Sequence, residues 1–280
     1  MIKTITVTGG KNKEGRPEPV QRLDIQSGEI LAVVGPTGSG KSRFISDIEQ
    51  WADGETPSGR YVLIDYLPAA QYAEEQSLHR LVAEVSQNMN FVIDMSVKDF
   101  LILHARSRKV DSPEKAAQEA VAYANRLVGE PISSGEKLSV LSGGQSRALM
   151  VADVALISDA PVVLIDEIEN AGIDRLQALR SLTAQGKVVV VVTHDPVLAL
   201  MADRRVVMKN GGIMKLLATT SEEKLLLKRL TQMERELSAL REKLRLGEQL
   251  RENMPHKMEN CGSGKETRKL QQSSLEMEGY

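Results

Sequence analysis

Gly35, Pro36, Thr37, Gly38, Ser39, Gly40, Lys41 and Ser42 stand where an apolar run, 29–34, gives way to a helical pattern from about Lys41. Glycines let a backbone wrap a chain of phosphates so that amide N–H groups point inward, and a following helix start adds partial positive charge. The spacing fits a phosphate-binding loop, with Lys41 reaching the β- and γ-phosphates and Ser42 offering its hydroxyl to Mg2+. A second constellation, Val-Val-Leu-Ile-Asp-Glu at 162–167, is an apolar strand ending in two acids. Carboxylates at that end of a strand sit where open α/β sheets bind ligands. Asp166 suits a Mg2+ ion held through water, and Glu167 suits polarising an attacking water. A third, Leu141-Ser142-Gly143-Gly144-Gln145, sets a hydroxyl and closely approachable amides at a helix start, again suited to an anion.

In these motifs the sequence resembles the ATP-binding-cassette (ABC) ATPase family, whose signature 141–145 matches without a change. The likeness covers about residues 1–217 and is to single-cassette transporter ATP-binding subunits. It implies an α/β fold: a P-loop NTPase (RecA-like) core sheet, an N-terminal antiparallel β-subdomain and a helical subdomain inserted at about 88–145. It also implies hydrolysis of Mg-ATP, with Glu167 and His194 as catalytic residues, the latter in Thr193-His194-Asp195 after the last buried strand. Gln87 looks like the family's Mg2+-sensing glutamine, and Asp174 like the aspartate that contacts the opposite protomer. In the family, the signature serine and glycines cap a γ-phosphate held by the other protomer. The resemblance therefore implies a second cassette, in a homodimer, with each chain supplying two half-sites. Three departures stand out. No aromatic precedes Phe44, which leaves Arg16 or Val20 to meet the adenine; Arg43 replaces the usual second hydroxyl; and 166–174 lacks the proline after the glutamate and is longer before Asp174.

The elements that must position these groups follow from periodicity. Residues 1–8 alternate as a strand before a Gly/Lys/Pro-rich loop through Pro19; 60–66 and 81–86 read as further strands. Helices are predicted at 96–106 and 113–128, the second with proline in its first turn, and another follows Ser142, which could cap it. The β-branched runs 160–165 and 186–193 read as parallel strands covered on both faces. Domain limits follow: an ATPase domain at 1–218, an amphipathic helix at 219–251 and a disordered tail at 252–280. In that helix Leu226, Leu230, Met233, Leu237, Leu240 and Leu244 alternate four and three apart, a heptad seam of about three repeats that stops at Gly247.

The formal charge of −2 and 3% aromatic content argue against direct nucleic-acid binding. Cys261 is the single cysteine, so disulfide frameworks and thiol metal clusters are excluded. No apolar run is long enough to cross a bilayer and no secretory leader is read, which sets a cytoplasmic expectation, peripheral to a membrane only through a partner. Compact spacing between 96 and the signature, and the likeness of 193–212 to transporter cassettes, favour the nucleotide-binding subunit of a membrane transporter with a separate membrane-spanning partner. The 168–174 loop and the appended helix keep open a soluble ATPase that remodels or activates a cytosolic protein complex.

Overall fold

Two kinds of strand occur in the computed structural model, which describes residues 2–73, 81–86, 91, 93–166 and 173–250. The first kind alternates. After Thr4–Gly9 (β1), Arg22–Gln26 (β2) buries Leu23 and Ile25. Successive side chains on a strand point to opposite faces, so a five-residue alternation covers a core with one face only. The second kind is apolar at nearly every position, beginning with Ile30–Val34 (β3). Arg60–Ile64 (β4) returns to alternation, burying Arg60, Val62 and Ile64, and Leu67–Pro68 (β5) completes an antiparallel four-stranded sheet of order β2-β1-β4-β5.

Val82–Val85 (β6), Val162–Asp166 (β7), Val188–Val192 (β8) and Arg204–Lys209 (β9) lie parallel with β3 in a second sheet. Gly212–Ala218 (β10) adds an antiparallel edge, giving six strands in the order β10-β9-β3-β8-β7-β6. Val188, Val190 and Val192 enter one core while Val189 and Val191 enter the other. A run with no polar position is what a sheet covered on both faces requires.

On one face, Lys41–Glu49 (α1) sends Phe44, Ile45 and Ile48 into a core shared with the antiparallel sheet. A single helical turn, Ala70–Ala73 (α2), follows β5. On the other face Val97–Ser107 (α3) and Pro113–Leu127 (α4) join the core through Gly143–Leu156 (α5), which packs against the sheet with Arg175–Ala184 (α6) and the short Pro196–Met201 (α7). Ser96 caps α3 by accepting from the Asp99 N–H at 3.1 Å, and Pro113 opens α4 with its fixed φ. Residues 87–90 and 92, at the start of the expected helical subdomain, lie outside the described residues.

The last element is one helix, Ser221–Arg245 (α8), narrower than the expected 219–251. Gly247, at φ 77°, ends it. Its N–H donates to the Leu244 carbonyl at 3.0 Å and that of Glu248 to Lys243 at 2.9 Å, the paired bonds of a glycine-terminated helix. The glycine that interrupts the seam is thus also the stop signal. The chain divides within α8 into units Met1–Gln232 and Met233–Tyr280, and the tail expected to be disordered lies outside the described residues. No described helix is long and apolar enough to cross a membrane.

Candidate nucleotide-binding site

Between β3 and α1 the chain turns on glycines. Gly35 and Gly40 have φ of 151° and 101°, which residues with a Cβ rarely adopt. Space forbids one too: a Cβ on Gly35 would lie 2.4 Å from the Met208 carbonyl oxygen, and one on Gly40 2.8 Å from Gly211 Cα. The loop is a backbone cradle packed against the turn between β9 and β10. The Gly211 N–H donates to the Ser39 carbonyl at 2.8 Å, and Lys13 donates from Nζ to the Gly38 carbonyl at 2.8 Å. Lys41 lies within the loop, donating to the Gly35 and Pro36 carbonyls at 2.9 and 3.3 Å, whereas Ser42 is exposed. Ser39 Oγ is buried without a hydrogen-bond partner. Such a group costs about 1–3 kcal/mol until a ligand satisfies it. Amide N–H groups, an ammonium and a spare hydroxyl suit phosphate oxygens.

Beneath this loop lies an ionic frame with no place among the sequence expectations. The fully buried Arg60 guanidinium donates to Glu18 Oε1 and Oε2 at 3.1 and 2.8 Å, to Asp47 Oδ2 at 2.9 Å and to the Gly211 carbonyl at 2.8 Å. Ser58 Oγ and Arg43 Nε complete the Asp47 carboxylate at 2.8 and 3.0 Å, and the Ile213 N–H meets Glu18 at 2.7 Å. Burial would lower the Arg60 pKa; the ion pairs with Glu18 and Asp47 outweigh it and hold the group above its ordinary value. Arg43, where the family usually has a hydroxyl, is thus part of this frame. Two signals pointed to it. Arg60 shares an inward face with Val62 and Ile64, and Asp47 sits on the apolar face of α1 beside Ile48.

Strand register brings the second constellation to the same place. Val33 of β3 pairs with Val192 of β8, and Val192 with Asp166 of β7. Asp166 and the loop carrying His194 therefore lie on one side of the phosphate loop, at the C-terminal ends of the next two strands. Thr193 anchors that loop: its N–H donates to the Val33 carbonyl at 3.2 Å and its Oγ1 accepts from the Asp195 N–H at 2.9 Å. Asp195 then caps α7, accepting from Val197 N–H at 2.6 Å, and pairs with Arg175 at the start of α6. His194 is exposed between these fixed neighbours. Nearby on β6, burial chiefly, with Glu49 and Asp166 adding, raises the Glu84 pKa. Gln87, Glu167 and 168–172 lie outside the described residues. Among the described residues no group of three His, Cys, Asp or Glu could hold a metal. A hydroxyl from Ser42 and a carboxylate from Asp166 instead suit a hard cation that takes its other ligands from phosphate and water.

The signature is built differently. Ser142 and Gln145 form a reciprocal cap at the start of α5: Ser142 Oγ accepts from the Gln145 N–H at 3.3 Å, and Gln145 Oε1 accepts from the Ser142 N–H at 2.9 Å. The arrangement fixes the turn and leaves the Ser142 hydroxyl proton to donate outward. Ser142 and Gly143 are exposed, and a Cβ on Gly143 would meet only Arg147 Nη1, at 3.6 Å. Asp174 caps α6 by accepting from the Gln177 N–H at 3.0 Å, while its own N–H donates to Leu127 at 2.8 Å. Arg16, one of the two expected adenine contacts, is an exposed partner of Glu14, and Val20 packs at the edge of the core.

These features meet independent likenesses. The family model for the ABC transporter matches residues 20–170. An uncharacterized ABC transporter ATP-binding protein of Methanocaldococcus jannaschii is 54% identical over 250 residues, 89% of this chain and 95% of that one. The glutamine transport ATP-binding protein GlnQ of Geobacillus stearothermophilus is 31% identical over 201 residues, 69% of this chain and 81% of that one. Among solved structures, a dimeric ATP-binding cassette in a post-hydrolysis state with ADP and Pi is 25% identical at TM-score 0.59, covering 79% of this chain and all of that one. CbiO1 of Clostridium perfringens, 20% identical at TM-score 0.62 over 86% of this chain and 100% of that one, shares the fold. The chain belongs to the ABC transporter family of ATP-binding proteins and is an ABC-type ATP hydrolase.

Proposed function

We propose that this chain is the nucleotide-binding subunit of a membrane transporter, hydrolysing ATP at two sites shared between head-to-tail copies on the cytoplasmic side. The observation that carries the shared site is the signature turn. Its serine and glycine are exposed, and the space at Gly143 is not needed by the chain's own packing. An exposed helical glycine costs up to about 1 kcal/mol relative to alanine, so the empty volume argues for something that enters it from outside.

In this reading the amides of 35–42 and the Lys41 ammonium hold the β- and γ-phosphates. Ser42 and Asp166, with Gln87, hold Mg2+, which when bound neutralises phosphate charge. Glu167 orients and polarises the attacking water, and His194 contacts the γ-phosphate from its anchored loop. The partner's Ser142, Gly143, Gly144 and Gln145 close over that phosphate, and Asp174 touches the opposite protomer. ATP thereby makes contacts that only the closed pair offers, and hydrolysis removes them. Likeness to GlnQ supports transport as the work done, and in this reading a separate subunit supplies the membrane path.

Mixing two inactive variants tests the shared site. Lys41→Ala lacks triphosphate binding; Ser142→Arg binds ATP but blocks closure. In a mixed pair, one interface joins the intact phosphate loop of the Ser142→Arg chain to the intact signature of the Lys41→Ala chain. Phosphate release should reappear on mixing, and efficient turnover by either variant alone would refute completion in trans. For the transport role, affinity capture from detergent-solubilised native membranes should bring down a multispanning protein. Recovery of a soluble complex alone supports the remodelling ATPase instead.

A further inference from the structure

The stripe on α8 takes no part in the chemistry above. Met233 and Leu244 are 63% and 57% exposed, and Leu226 and Leu237 are also exposed. Large apolar side chains aligned along one face and left in water mark an interaction surface. Heptad lettering puts Leu230, Leu237 and Leu244 at a, and Leu226, Met233 and Leu240 at d. The flanking positions then carry charges of alternating sign: Arg229 and Glu236 at g, Glu234 and Arg241 at e. In a parallel, in-register pair each g residue faces the e residue of the next repeat on the other helix. Arg229 meets Glu234, Glu236 meets Arg241, and twofold symmetry makes each pair twice. The seam is thus complementary in charge to a second copy of itself.

We propose that two copies of this chain pair through α8, parallel and in register. The root of the helix sets the direction. Thr220 and Glu223 cap each other, with bonds of 2.9 and 3.2 Å, and Arg205 of β9 grips the Glu223 carboxylate at 2.6 and 3.3 Å. Each α8 therefore leaves its own sheet from a fixed point. A fully overlapped antiparallel pair would put those roots at opposite ends of a 25-residue helix. That is about 37 Å at 1.5 Å per residue, and it would part cassettes that must share nucleotide. Parallel pairing keeps both roots at one end. This direction, though not self-pairing itself, rests on the shared-site reading. Three a and three d layers are few for an autonomous coiled coil, so the pairing is weak by itself and gains from tethering to cassettes that also meet. Its effect is to hold the two cassettes near each other when nucleotide has left.

Disulfide trapping in the full-length chain tests this. Cys261→Ser removes the native thiol, and Leu244→Cys or Leu226→Cys is added on the seam, with Ser238→Cys on the water-facing side as control. In a glutathione redox buffer without nucleotide, both seam variants should form homodimers in several-fold higher yield than Ser238→Cys. Adding Lys41→Ala should leave that yield unchanged, which separates this pairing from any failure of the ATP-driven clamp. Glu234→Arg with Glu236→Arg leaves only basic charges on the flanks and should reduce trapping several-fold; mixing with an Arg229→Glu, Arg241→Glu chain should restore it. Seam yields no greater than at Ser238, indifference to charge reversal, or preferential Leu226–Leu244 disulfides in mixtures, the antiparallel signature, would each overturn the proposal.

Discussion

Residues 35–42 are pressed against the β9–β10 turn, tied by Lys13 and backed by a buried ionic frame, whereas 142–145 form a turn exposed at Ser142 and Gly143, held by its own cap and by Gln145 donating to the Glu130 and Pro131 carbonyls. At the first place Gly35 and Gly40 each answer to a neighbour in the same chain. At the second, Gly143 meets only the Arg147 side chain of its own helix, at an ordinary contact distance of 3.6 Å. The contrast separates a half-site whose geometry the fold completes from one held rigid but left open for another molecule. Binding should therefore be a property of the single chain and turnover a property of the pair.

The largest test removes the chemistry and leaves both halves standing. Glu167→Gln should lower phosphate release by about 10²–10⁴-fold, because an amide cannot polarise water. Filter binding should show ATP retained, and light scattering an accumulated ATP-bound dimer. Turnover at the wild-type rate would remove Glu167 from the mechanism.

Next comes the frame beneath the phosphate loop. Arg60→Ala leaves the buried Glu18 without its ion pair and the buried Asp47 with Arg43 alone, which should destabilise the chain by about 3–5 kcal/mol in urea unfolding. A loss below about 1 kcal/mol would mean that the loop is not braced as the comparison requires.

Gly143→Ala sharpens the contrast, because its two effects have opposite signs. Helix propensity should raise stability by up to about 1 kcal/mol, while the added methyl enters the space assigned to the partner's phosphate and lowers turnover. The same change at Gly40 should damage both, since that Cβ would collide with Gly211. Unimpaired hydrolysis in Gly143→Ala would show that nothing fills the space.

The smallest effect concerns pH. Because the Glu84 pKa is raised, chiefly by burial, the folded chain holds this proton more tightly than the unfolded chain does. Its contribution to stability is fully present below the ordinary carboxyl value of 4.5 and is lost as pH rises through the higher folded value. The gain in Tm from Glu84→Gln should therefore be greater at about pH 8 than at about pH 5. An equal shift at both values would show that the folded chain holds this proton no more tightly than the unfolded one.

What could be read in the sequence was what depends on neighbours along the chain. The phosphate loop, the acid-ended strand and the signature each lie within eight residues or fewer, and the valine run 188–192 announces a doubly covered strand by itself. The Ser142 cap was visible for the same reason, though the reciprocal bond from Gln145 needed coordinates. The frame was not read because Glu18, Asp47 and Arg60 come from a loop, a helix and a strand, and only their packing makes them one object. Strand β2 had no counterpart among the expectations, although Leu23 and Ile25 alternate; its span is short and its flanks are polar. The β9–β10 turn is an Asn-Gly hairpin at 210–211, which announces the turn but not what it touches.

That turn also has a bearing on how the protein can change. A Cβ on Gly40 would strike Gly211, and a Cβ on Gly211 would come within 3.0 Å of Lys13 Cγ. Lys13 in turn holds the Gly38 carbonyl, two residues before the starting point. A displacement begun at any of these backbones returns to the loop where phosphates are held. The positions are far apart in sequence, yet they share one allowance of space, so substitutions there cannot accumulate independently.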